Sequence, residues 1–127
     1  MDTKFLMASS AIFLILIGLF CSFLPNESLR FIGADEIGTL PVLAQVFGAI
    51  YFGFGLLNWM AKGNLIGGIY SKPVAIGNFA HFLMSSLALI KYFAVRTELT
   101  LLLIPILIYT IFAFCFGKIT FGSPLIR

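Results

Sequence analysis

Acidic residues are scarce in this sequence, and none falls where the chain is apolar. The five are Asp2, Glu27, Asp35, Glu36 and Glu98. Charge of either sign is missing from four long stretches, 5–26, 37–61, 73–90 and 99–117. Only 10% of the residues are charged and 61% are hydrophobic, where soluble domains carry about 25% charged residues. A soluble chain of this composition would have too little polar side chain to cover its surface.

Each shortage excludes a class of chemistry. With no Asp or Glu inside an apolar stretch, there is no carboxylate pair for acid–base work. Proton-coupled antiport of the small multidrug type, which depends on an intramembrane carboxylate, is excluded for the same reason. One histidine and two cysteines make no set with zinc spacing, so no metal site is expected. There is no GxSxG elbow, and GNLIGG lacks the Lys-Ser or Lys-Thr ending of a phosphate loop. The segment FGAIYFGFG shares only composition with a potassium filter. The eight Lys and Arg are scattered singly, so the net charge of +3 is no nucleic-acid footprint. Cys21 and Cys115 fall near the ends of the first and fourth stretches. Those ends face opposite sides of a membrane if all four stretches cross it, so a bridge between them is not expected. Both read as small apolar helix residues.

A bilayer core about 30 Å thick needs roughly 20 helical residues to cross. The four stretches meet that length, and the expected spans are 5–24, 41–61, 74–95 and 99–117. The fold class expected is all-α, a left-handed integral membrane four-helix bundle of up-down topology, with 1–127 as a single transmembrane domain. The first span is longer than a signal-peptide core and no small-x-small site follows it, so it is read as retained. Pro25 and Asn26 end it. The polar segment NESLRFIGADEIGTLP follows as a loop or as a short interfacial turn carrying Leu29, Phe31, Ile32 and Ile37. Pro41 opens the second span. The glycine-rich KGNLIGGIYSKP leads to the third, where Lys91 near the end reaches for the interface. The RTE turn makes spans three and four antiparallel neighbours. Pro105 inside the fourth is expected to kink it.

Orientation follows from the basic residues. Lys4, Lys62, Lys72, Lys118 and Arg127 share one side, and Arg30, Lys91 and Arg96 the other. The excess belongs in the cytoplasm, so both termini are expected there, in a bacterial inner membrane.

The second and third spans carry the polar and small residues. In AQVFGAIYFGFGLLN, Gly48, Tyr51, Gly55 and Asn58 share a helix face. Ala44 with Gly48, and Ala49 with Gly53, make small-xxx-small pairs that let membrane helices approach closely. In IGNFAHFLMSSLALIKYF, Asn78, His81, Ser85, Ala88 and Tyr92 form a polar stripe, which hydrocarbon would penalise. The candidate seam is therefore Tyr51 and Asn58 opposite Asn78, His81, Ser85 and Tyr92. Spans one and four read as apolar walls. His81 is read first as a neutral imidazole hydrogen-bonded to Ser85, Asn78, Asn58 or a carbonyl, with proton handling or a lone metal or haem ligand as alternatives.

The pattern resembles the DoxX-like and related families of small bacterial four-helix membrane proteins. It is carried by LIGLF, a loop ending in LP, LAQVFGAIYFGFGLLNW, a basic loop and GNFAH. The resemblance implies a four-helix bundle in the membrane. DoxX-like proteins often have an acidic residue in or beside the second span, which this chain lacks, so no functional residue carries over.

The function expected is non-catalytic: an accessory, assembly or scaffold subunit. Its partners are the lipid bilayer and a second copy of itself or a larger membrane complex, with no nucleic acid and no cofactor. Two other readings stand beside it. One is a small-solute transporter or channel using the seam, and the other a redox or quinone-associated protein with His81 as a lone ligand.

Overall fold

The computed structural model describes residues 2–64, 66 and 71–122. Most of the glycine-rich loop (65 and 67–70) and the tail from 123, with Arg127, lie outside the described residues. The chain is all-α. The helices are α1 (Thr3–Phe23), α2 (Pro25–Phe31), α3 (Leu40–Ala61), α4 (Lys72–Val95) and α5 (Leu103–Phe121), with a 3-10 turn at Thr100–Leu102. Four are long and apolar enough to cross a membrane: Thr3–Phe23, Leu40–Ala61, Lys72–Val95 and Thr100–Phe121.

The boundaries have local causes. Leu24 leaves the helical region (φ −128°, ψ 59°), because the residue before a proline is pushed away from it. Pro25 then takes the first position of α2, where a missing N–H costs nothing. So the proline that stops α1 also starts a helix in the segment expected to be a loop or short turn. That helix ends in a Schellman motif: Gly33 N–H donates to the Arg30 carbonyl at 3.0 Å and Ala34 N–H to that of Leu29 at 2.9 Å. Gly33 sits at φ +74°, a conformation that favours glycine.

Two expectations about the fourth span are corrected. Pro105 does not interrupt a running helix. The 3-10 turn occupies Thr100–Leu102, which places Pro105 in the first turn of α5, where its absent N–H is tolerated. The helix also continues past Gly117 to Phe121. Ile119 and Thr120 are buried, and Gly117 gives room to the Phe79 ring, 3.0 Å from where a Cβ would stand.

The chain divides into two compact units, Met7–Met60, and Met1–Leu6 with Ala61–Arg127. In the first, α1 and α3 lie antiparallel at very short range. A Cβ on Gly18 would stand 2.6 Å from the Phe52 nitrogen and 2.7 Å from the Gly48 carbonyl oxygen. One on Gly48 would stand 2.7 Å from the Ser22 nitrogen, and one on Gly55 would stand 3.0 Å from the Ala11 carbonyl oxygen. Only hydrogen at these positions lets the two backbones come so close. In the second unit, Phe82 is fully buried and joins α4 to α5. Its ring stacks on Phe116 at 5.7 Å and meets Phe112 at 4.9 Å and Tyr109 at 5.4 Å. Phe79 meets Phe121 edge-on at 5.3 Å.

The other faces of the long helices are apolar as well. Leu16 on α1, Phe47 on α3, Met84 on α4 and Phe114 on α5 all stand exposed, Met84 and Phe114 at 70%.

Candidate functional site

The two buried asparagines, Asn58 of α3 and Asn78 of α4, each bond within their own unit. Asn58, near the end of α3, is 1% exposed, and its Nδ2 donates to Ser10 Oγ on α1 at 3.1 Å. The Ser10 hydroxyl donates onward to the Met7 carbonyl at 3.0 Å. Tyr51 is half-buried. Asn58 thus belongs to a polar contact that α1 completes, and span one is no plain wall. Ser10, Ala11, Leu14 and Gly18 form its buried face.

The small residues of α3 separate into two faces. Ala44, Gly48 and Gly55 are buried, the two glycines against α1. Ala49 is exposed, and a Cβ on Gly53 would meet no atom within 4 Å. Within its unit and among the described residues, the Ala49–Gly53 pair does not face α1. On α1, Gly18 and Ser22 stand opposite Gly48, and Ala11 and Ile15 opposite Gly55.

On α4 the buried residues are Ala75, Asn78, Phe82 and Ser86. This face is rotated by roughly a quarter turn from the stripe through His81, Ser85, Ala88 and Tyr92, and only Asn78 belongs to both. Asn78 Nδ2 donates to its own helix at the Val74 carbonyl, 2.9 Å. Ser86 Oγ donates to the Leu83 carbonyl at 2.9 Å, while Ser85 is half-buried and Ala88 exposed. The His81 ring packs on Phe82 at 5.0 Å and Tyr109 at 5.7 Å, with Nε2 shielded from solvent. Tyr92 receives a long contact, 3.5 Å, from Arg96 Nη1.

Ser10, Ser86 and Tyr109 were not among the residues that sequence patterning singled out. Gly18 and Ser22, four apart in span one, are a small-xxx-small signal that points to the α1 face directly.

Ion pairs occur in the short connections. Arg30 bonds Glu27 at 3.1 Å and also pairs with Glu36. Arg96 donates to Glu98, and that bond, with the residue's own backbone N–H, holds the exposed Glu98 carboxyl below its ordinary range. Cys21 and Cys115 are free thiols, both half-buried. Among the described residues no three His, Cys, Asp or Glu side chains gather as a ligand set.

No family model, curated protein or solved structure matches the chain.

Proposed function

We propose that this is a multi-pass integral membrane protein whose four long helices cross up and down as a four-helix bundle, and that it serves as a non-catalytic accessory, assembly or scaffold subunit. The observation that carries the reading is where the apolar and polar groups lie. Large apolar side chains stand exposed on all four long helices, whereas soluble monomers rarely expose large contiguous apolar patches. The amides of Asn58 and Asn78 and the hydroxyls of Ser10 and Ser86 meanwhile bond within their own units. Of these, the Asn58–Ser10 bond joins two helices, and such bonds hold helices together in lipid. Small residues at backbone-contact range do the same. The basic residues Lys4, Lys62, Lys72 and Lys118 belong at the cytoplasmic side, with both termini, in a bacterial inner membrane.

Native mass spectrometry after extraction in mild detergent tests the role. A homo-oligomer or a stoichiometric partner is expected. A strict monomer with no bound protein, at concentrations matching the membrane, would overturn it. Solute flux into liposomes that falls in an Asn78→Ala, His81→Ala double variant of unchanged stability would instead favour a transporter.

A further inference from the structure

We infer that α2 is an in-plane membrane helix, seated at the boundary between headgroups and acyl chains, with the lipid surface itself as its partner. The inference rests on the membrane reading above and specifies how one connecting segment meets the bilayer.

Three faces of the segment carry it. At about 100° per residue, Ser28 and Leu29 fall on one side of the helix, and both are buried. Ser28 donates to the Pro25 carbonyl at 2.8 Å, so this side is turned into its own unit. Asn26, Glu27 and Arg30 fall on a second side, all exposed. There Arg30 gathers Glu27 and Glu36 into one ionic group, which requires water or headgroups around it. Phe31 falls on a third side and is exposed, as is Leu24, which precedes the helix. Phe23, at the end of α1, is exposed too, at 77%. A helix in the plane of an interface needs this division, with its charged face in water and its apolar face among acyl chains.

The backbone agrees. A helix end near hydrocarbon must satisfy its own carbonyls. The Schellman bonds from Gly33 and Ala34 do so for Arg30 and Leu29.

The test uses spin labels on single cysteines, placed in a Cys21→Ala, Cys115→Ala background reconstituted into phosphatidylglycerol-containing vesicles. The labelled positions are Phe31→Cys, Leu24→Cys, Glu27→Cys and, as a span control, Leu16→Cys. Oxygen partitions into lipid and a nickel chelate stays in water. The oxygen-to-nickel accessibility ratio is expected to be several-fold higher at positions 31 and 24 than at 27. Either apolar position suffices if one variant is not recovered folded. A ratio at 31 and 24 equal to that at 27, with Leu16→Cys still strongly oxygen-favoured, would overturn the in-plane helix and leave the membrane reading standing. A nickel-favoured label at Leu16→Cys would overturn both.

Discussion

Asn58 Nδ2 donates to Ser10 Oγ across 3.1 Å, joining two buried side chains that stand 48 residues apart. The Ser10 proton is committed to the Met7 carbonyl, so its oxygen presents a lone pair to the amide. This relay fixes the level at which α1 and α3 cross. Ser10→Ala removes the acceptor while leaving the amide buried. Interhelical hydrogen bonds in membrane proteins average about 0.6 kcal/mol and reach about 1.7 kcal/mol. A loss in the upper half of that range is expected, since both groups are shielded. A double-mutant cycle of Ser10→Ala with Asn58→Leu, followed by denaturing-detergent titration, measures the coupling. Additive losses would show that the contact contributes nothing.

The two glycines of α3 separate close packing from open surface. Gly48→Ala places a methyl 2.7 Å from the Ser22 nitrogen and 2.8 Å from the Gly18 carbonyl oxygen. Neither backbone atom yields without parting the helices, and overpacking of this kind costs about 1–3 kcal/mol. Gly53→Ala meets no atom within 4 Å and gains helix propensity, worth up to about 1 kcal/mol. Thermal unfolding in detergent should therefore move in opposite directions for the two variants. Equal shifts would contradict the close α1–α3 approach.

The long helices were legible because each is a charge-free run of membrane length closed by proline, glycine or charge. Their contact faces were not. A helix that is apolar all round does not announce which side meets a neighbour. On α4 the choice between Ser85 and Ser86 turned on one residue, and the buried side chain is Ser86. On α3 the pairs Ala44–Gly48 and Ala49–Gly53 look alike in the sequence. What distinguishes them is Gly18 and Ser22 on another helix, a long-range fact. A helix of seven residues such as α2 is too short for periodicity to reveal. Its signals were Pro25 as a first residue and Gly33 as a cap, and each also reads as a stop. Pro105 misled because the 3-10 turn ahead of α5 has no signature of its own.

The Arg96–Glu98 pair lies in the turn between α4 and α5, outside the spans. Its carboxyl titrates below the ordinary glutamate range because Arg96 donates to it. A lowered pKa in the folded state means that folding favours the ionised form. The contribution is complete above the unfolded-state pKa, near 4.3, and is lost as pH falls through the folded value. The stability difference between the natural chain and Glu98→Gln should hold constant from pH 7 to about 5.5, then shrink toward zero in acid. Raising salt at pH 7 should shrink it too, since exposed pairs are screened. A difference that grows on acidification would reverse the assignment.

Phe82 and Met84 stand two residues apart on α4 with opposite surroundings. Phe82 is fully buried against Tyr109, Phe112 and Phe116 of α5, while Met84 is 70% exposed. In a soluble core, Phe→Ala costs about 3–5 kcal/mol, part of it the transfer of apolar surface from water. Between helices already solvated by lipid that transfer term is absent. The cavity and the lost dispersion contacts remain. Phe82→Ala should therefore cost less than in a soluble core, about 2 kcal/mol, and loosen the α4–α5 pair. Met84→Ala should stay within about 0.5 kcal/mol. Steric trapping in bicelles measures both. A full soluble-core loss at Phe82, or a comparable loss at Met84, would mean that these faces are not arranged around lipid as proposed.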